Sequence, residues 1–409
     1  METVGLIFSF AVILQLTAKR VNLALTLLLG SLIIAITSGM GAWKIIEVAY
    51  TSALDPSTLT LTFSVVGLQL LGYLMKKSGL LEKMVNDLTH LITDPRALSA
   101  VLPMVLGMLV VPGGAIMSAP MVEQAGKKAG LSRLNMAAVN LAFRHLWYFI
   151  YPLFPLFIMA RDLSGLQYGD LIKYLALPTL VSIIICSWVC FSGSQKSTHV
   201  QEKISWSLLG KIAVDMSPIF TIIFAHFILG LNYVIAISVG LIMAGYFLYQ
   251  QGEHNSIQQL IRETISHLDW KLGCVVLAVM MLKGYVVESG TINMIVNNMI
   301  DAGLPLLFLT FFIPFTVGML TASHYTGVGI GFAVFAPIID TLDLRVAYYA
   351  FIFITAVTGY FMSPIHLCYI LTKEYFSVDM KDLLLKKMAP PVFAMIAVSM
   401  LTIVILGLF

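Results

Sequence analysis

The chain has 409 residues, 59% of them hydrophobic and only 11% charged, with a mean hydropathy of +0.92. That balance excludes a soluble enzyme or binding domain of this size. The net charge of +3 comes with no basic cluster interleaved with aromatics, so no nucleic-acid partner is expected and the lipid bilayer is the partner that the composition demands.

In chain order, apolar runs of bilayer-spanning length predict ten crossing helices, over 3–18, 21–38, 57–76, 134–160, 170–191, 211–229, 232–250, 271–288, 345–372 and 390–409. The opening METVGLIF lacks a basic n-region, so the first run reads as a membrane helix rather than a cleaved leader. Two further segments, 97–126 and 304–340, each place two apolar arms around a Gly-rich centre, VVPGGA and TASHYTGVGIGFA. The arms of the first are too short to span, and both segments read as re-entrant hairpins. Irregular backbone is tolerated at that depth only where it faces protein or a water-filled cavity. The amphipathic segments 78–95 and 289–303 read as interfacial arms, and 192–210 and 251–269 as short polar linkers. Cys186, Cys190, Cys274 and Cys368 lie in apolar stretches without metal-ligand spacing and read as packing residues, so no metal site is expected.

The chain also contains itself twice. Residues 74–111 align with 285–322 at one offset, bringing Ser78-Gly79 onto Ser289-Gly290, Val85-Asn86 onto Val296-Asn297, Pro103 onto Pro314 and Gly107-Met108-Leu109 onto Gly318-Met319-Leu320. Further on, Ala119-Pro120 meets Ala336-Pro337, Tyr148-Phe149 meets Tyr360-Phe361, and Pro152 meets Pro364. A long repeat in a hydrophobic chain marks a secondary transporter whose halves surround a site near the bilayer midplane.

Five crossings and one hairpin per half is an odd number, which inverts the second half relative to the first. The expected fold is therefore an all-α polytopic membrane protein of two inverted repeats, each with five transmembrane helices, one re-entrant hairpin and a Pro-broken helix. Its parts are scaffold helices over 1–96, a hairpin and transport helices over 97–191, a linker over 192–210, a second scaffold over 211–303, and a second hairpin with transport helices over 304–409. Charge orients it in the cell (cytoplasmic) membrane. With both termini outside, eighteen of the 24 Lys and Arg, among them Lys19, Arg20, Lys76, Lys77, Lys127, Lys128, Arg133, Lys386 and Lys387, fall on the cytoplasmic side. Only Lys44, Arg161, Lys173 and Arg345 fall outside.

Three scaffold helices, a hairpin, a Pro-broken helix and a last helix, repeated in inverted form, resemble the ion transporter superfamily. That group includes divalent anion–sodium symporters, citrate and gluconate permeases and arsenite exporters, and an uncharacterised prokaryotic family of integral membrane proteins is the nearest match. The resemblance covers nearly the whole chain. It implies a homodimer, with the apolar outer helices at its interface, and an elevator motion of hairpins and transport helices against the scaffold. The dicarboxylate branch carries Ser-Asn-Thr at both tips, where this chain has Pro112-Gly113-Gly114-Ala115 and Thr321-Ala322-Ser323-His324.

Arg144 is the sharpest candidate. It lies about ten residues, roughly 15 Å, from either end of the expected 134–160 helix, too deep for easy snorkelling. No Asp or Glu sits mid-helix in any expected crossing, so Arg144 either binds a carboxylate of an anionic substrate or caps hairpin carbonyls. Asn140, Arg144, Tyr148 and Tyr151 share one face, open to ligand or to interhelical hydrogen bonds. His145 beside them is a proton carrier or a satisfied core histidine. At the tips, Pro112, Gly113, Gly114 and Ser118 in one half and Thr321, Ser323, His324 and Thr326 in the other expose backbone and hydroxyls to a ligand, or simply close tightly. Around Pro364, Thr358, Gly359, Ser363 and His366, with Pro112 and Tyr151, make a candidate sodium site, or the prolines are plain kinks. No other cofactor is expected. With no HExxH, no GxSxG and no paired carboxylates in a crossing, catalysis has no machinery. The reading is a secondary transporter of a small organic anion coupled to Na⁺ or H⁺. A cation–proton antiporter is the alternative, with Glu123 and Asp340 as its matched carboxylates.

Overall fold

The computed structural model describes residues 2–19, 21–108, 114–194, 206–250, 257–266, 270–290 and 303–408. Among these the chain is all helix, with no strand. Five helices are long and apolar enough to cross a bilayer: Pro56–Lys77, Tyr168–Phe191, Tyr233–Gln250, Trp270–Ser289 and Asp382–Leu406. Helices satisfy their own backbone, which a lipid environment requires. The protein is a multi-pass membrane protein.

Local chemistry sets the ends of these helices. Asp55 caps Pro56–Lys77 by accepting from Ser57 N and Thr58 N, and Pro56 stands at the first helical position, where its missing N–H is harmless. The chain leaves that helix through Gly79 at φ 63°, and its repeat partner Gly290 stands at φ 62°. Both ends need the left-handed conformation that glycine adopts without strain. The expected arm after Gly79 forms a helix, Leu80–Leu91, with Leu80, Leu81, Met84, Val85 and Leu88 buried along one face. Its counterpart over 291–302 lies outside the described residues.

Two segments depart from the sequence expectation, and the two expected helix breaks are present. Residues 39–56 hold a helix, Ala42–Leu54, packed on Trp270–Ser289, where Tyr285 Oη donates to Ile45 O at 2.8 Å. The expected straight helix 211–229 is two helices, Trp206–Asp215 and Ser217–Ile228, bent by 71°. Pro218 opens the second of them and cannot donate back to the first. The expected crossings 134–160 and 345–372 are each broken. Arg133–His145 ends in a short 3₁₀ turn, Leu146–Phe149, before the chain restarts as Pro155–Ser164. Arg345–Phe361 stops, and Leu367–Phe376 follows.

The two hairpin segments are pairs of packed helices, Pro95–Met108 with Gly114–Lys128 and Leu306–Thr321 with His324–Ile339. Their arms have 14, 15, 16 and 16 residues. At 1.5 Å per residue they reach about 21–24 Å, short of a hydrocarbon layer of about 30 Å. Leu306–Thr321 lies hard against Arg345–Phe361. A methyl on Gly318 would fall 2.3 Å from Ala356 O, one on Gly359 would fall 2.1 Å from Phe315 O, and Thr355 Oγ1 donates to Thr310 O at 3.1 Å.

Asp94 opens the first hairpin. Its Oδ1 accepts from Arg96 N at 2.8 Å, and its carboxylate pairs with the Arg96 guanidinium, which holds it below the usual carboxylate range. A depressed pKa stabilises the fold above the unfolded value of about 4, and that contribution is lost as pH falls through the folded value. Asp94→Asn should lower stability at pH 7 by about 0.5–1 kcal/mol, with solvent screening allowed for, and the gap should close as pH falls below the usual carboxylate range. Thermal melts in detergent across pH would check this.

Candidate functional site

The two helix breaks, the tip of the second hairpin and Gly114 of the first hairpin meet at one place. In the first break, Arg144 and His145 occupy the last turn of Arg133–His145, a helix capped at its start by the Ser132 hydroxyl. Arg144 is therefore a residue at a helix end within the protein, not the mid-helix residue of the sequence reading. Its guanidinium lies on Gly114, the first residue of Gly114–Lys128: a methyl there would sit 2.1 Å from Nη2 and 2.6 Å from Cζ. The Arg144 carbonyl lies equally close to Gly107, 2.2 Å from where a methyl would stand. Only glycine at 107 and 114 lets this arginine into the first hairpin.

Arg144 is 5% exposed, and among the described residues its Nε and Nη1 have no hydrogen-bond partner. Among the described residues no carboxylate forms an ion pair with it. Leaving a charged group buried without a partner costs several kcal/mol, so the arrangement is one that a ligand would relieve.

Histidines and aromatic rings surround this group. His145 donates from Nδ1 to Leu141 O at 2.6 Å, since a carbonyl can only accept, and its Nε2 is buried and unpartnered. Across from it stands His366, the residue that caps Leu367–Phe376, with ring centroids 5.2 Å apart and both ring nitrogens unpartnered. His324 opens the second arm of the second hairpin and is likewise unpartnered at both nitrogens. Its ring lies 4.5 Å from Tyr360 and 5.7 Å from both Tyr148 and Phe154, and Tyr148 stacks on Phe154 at 3.8 Å. Trp147 Nε1 and Ser363 Oγ are two more buried polar atoms without partners. Four helices begin here, at Gly114, Pro155, His324 and Leu367, and helix starts present free N–H groups and positive partial charge.

Other candidates are tied up. Asn140 accepts from Ser118 Oγ at 2.6 Å and donates to Ala115 O and Thr372 Oγ1, both at 3.1 Å. It clamps the first hairpin and Leu367–Phe376 to its own helix. Asn140→Ala should lower stability by about 1–3 kcal/mol by stranding those partners, read as a drop in melting temperature. Thr321 bonds back to Val317 O, Thr326 bonds to Ser323, which caps the helix, and Thr358 bonds to Ile354 O and Thr355 O. Gly359 serves the packing against Phe315. Tyr151 is buried, and the Pro152 carbonyl that the break frees accepts from Tyr233 Oη at 3.2 Å. Of the proposed ion ligands among the described residues, Ser363 and His366 keep buried polar atoms without partners. Pro112 and Gly113 lie outside the described residues. Glu123 pairs with Lys127 and accepts from Tyr375 Oη, and Asp340 accepts from Tyr349 Oη; neither joins the cluster.

Sequence reasoning did not pick out Trp147, Phe154, Tyr360 or Cys368. Tyr360 matches Tyr148 in the repeat, a signal that was available. A separate apolar cavity, lined by Leu146, Phe149, Cys186, Thr358, Phe361 and Met395 among others, offers no charged group for an ion.

Paired hairpins against paired broken helices define a fold of polytopic membrane proteins. The structure is similar to that of the YdaH transporter from Alcanivorax borkumensis, described as having an unusual topology, with a TM-score of 0.65, 12% identity and 88% of each chain covered. The chain belongs to DUF401, a family described as a protein of unknown function, which matches residues 2–405. No curated protein matches it.

Proposed function

We propose that the protein is a secondary active transporter that carries a small organic anion, with a carboxylate of the substrate on Arg144. The observation that carries this reading is the buried guanidinium with Nε and Nη1 free, set among helix starts and unpartnered histidines and without a carboxylate of its own. A planar fork of donors is suited to a carboxylate, and the surrounding rings suit an organic rather than an inorganic ion. The fold shared with a transporter and the broken helices support alternating access around this point. The free Ser363 hydroxyl in the second break supports a coupling ion, Na⁺ or H⁺, bound beside the substrate. An elevator motion of the hairpins and broken helices, a homodimer in the cytoplasmic membrane and a place in the ion transporter superfamily complete the proposal.

The test is a thermal-shift screen of purified protein against organic anions, with and without sodium, followed by uptake into proteoliposomes. A carboxylate that raises the melting temperature of the wild type, accumulates against a gradient and loses both effects in Arg144 variants supports the proposal. No anion response, together with pH-dependent cation exchange that Glu123→Gln and Asp340→Asn abolish, would replace it with an antiporter. A monomeric mass in nanodiscs would remove the dimer alone.

A further inference from the structure

Cys368 follows His366 by two residues at the start of Leu367–Phe376, and both face the end of Arg133–His145. One donor atom each from His145, His366 and Cys368 lies within 4.8 Å of the other two. The Nδ1–H of His145 is spent on Leu141 O, which fixes the tautomer and turns a lone pair outward at Nε2, a nitrogen with no other partner. A second-shell carbonyl of this kind is what orients metal-binding imidazoles. His366 is 2% exposed and free at both nitrogens.

We propose that His145, His366 and Cys368 bind a divalent transition-metal ion of the zinc class, joining the two helix breaks. Two imidazoles and a thiolate select borderline-soft ions and reject Na⁺, Mg²⁺ and Ca²⁺, which take oxygen. Three protein ligands leave a fourth tetrahedral position for water or an anion. His145 ends one helix, His366 precedes the next and Cys368 lies in its first turn, so small side-chain rotations at these helix ends bring the donors to bonding distance. The ion would tether the two halves at the centre of the protein.

Cobalt(II) is the probe. Full-length protein in detergent, freed of any affinity tag and treated with chelator, is titrated with Co²⁺. The expected result is one equivalent bound, with a near-ultraviolet thiolate-to-cobalt charge-transfer band that Zn²⁺ abolishes by competition. Cys368→Ser, nearly isosteric, should remove the band, and His366→Ala should weaken binding at least 10-fold. Size-exclusion profiles establish that both variants are folded. Cys186→Ser/Cys190→Ser, which removes the only other close thiol pair among the described residues (3.7 Å apart), should change nothing. Arg144→Ala should keep the one-to-one stoichiometry, so failure of the anion reading leaves this result standing. No band in the wild type, or a band that survives in Cys368→Ser, overturns the proposal.

Discussion

Arg144→Ala protein should bind its organic anion at least 100-fold more weakly than wild type and show no uptake above background in proteoliposomes. Truncating one partner of a buried, hydrogen-bonded charge pair typically costs 2–5 kcal/mol, and each 1.4 kcal/mol is a factor of ten. Arg144→Lys should fare little better. A lysine offers a point charge where the geometry presents a fork, and its ammonium would not lie flat on Gly114 as the guanidinium does. The same site predicts the opposite sign for stability. With Nε and Nη1 unpartnered, the ligand-free protein carries a buried charge that nothing offsets. Arg144→Met should therefore melt at a higher temperature than wild type without ligand, and at a lower one than wild type saturated with ligand. A structural arginine that caps hairpin carbonyls would give a fall in both conditions. Paired melts with and without the anion separate the two roles.

Gly359→Ala should destabilise the protein by about 3 kcal/mol or more, as much as a large core truncation. The added methyl would stand 2.1 Å from Phe315 O and 2.8 Å from Phe315 C, backbone atoms that cannot rotate away. Overpacking typically costs 1–3 kcal/mol, and a clash with the main chain of a helix on the neighbouring face belongs at or above the top of that range. Gly318→Ala should behave alike, since its methyl would approach Ala356 O from the other side of the same contact at 2.3 Å. The two positions share neighbours, so the double variant should lose less than the sum of the singles. Melting temperature and the yield of folded protein after extraction would show this. A Gly359→Ala protein as stable as wild type would mean that the two helices do not cross as closely as described. Small residues let helices approach where no hydrophobic drive separates protein from lipid, and this crossing depends on them.

Much of this arrangement was legible in residue pattern. Hydropathy located the five long spans among the ten crossings expected, and short apolar arms around Gly-rich centres located both helix pairs of the hairpins. Pro152 and Pro364 located the two breaks, because a proline inside an apolar run removes a backbone bond whatever surrounds it. Arg144 announced itself by the absence of a carboxylate at matching depth. The helix Ala42–Leu54 escaped because its apolar stripe is short and mixed with Lys44 and Glu47, which reads as a loop until Trp270–Ser289 is seen to cover it. The bend near Met216 escaped because Pro218 sits where a helix start and a helix interior look alike. Asn140 was read as a ligand because sequence shows a polar group without showing its partners. Ser118, Ala115 and Thr372 satisfy it from two other helices. Cys368 was set aside for the same reason: its neighbour His145 is more than 200 residues away along the chain, and no local period encodes that contact.

The length of the hairpin arms bears on how the protein is made. An arm of 14 to 16 residues cannot rest in lipid alone, since its end would leave backbone groups in hydrocarbon with no partner. Each pair must wait in a sheltered position until the broken helix that covers it has been synthesised. Pro95–Lys128 waits for Arg133–His145 and Leu367–Phe376, and Leu306–Ile339 waits for Arg345–Phe361, which closes over Gly318. Biogenesis then proceeds with long spans first and hairpins later, and the first hairpin cannot settle fully until Leu367–Phe376, from the other half of the chain, has been made. Truncation after Phe361 should leave the first hairpin without Leu367–Phe376, which packs on Gly114–Lys128 and is joined to it through Asn140. Such a chain should be recognised by membrane quality control although four of the five long spans are already in place.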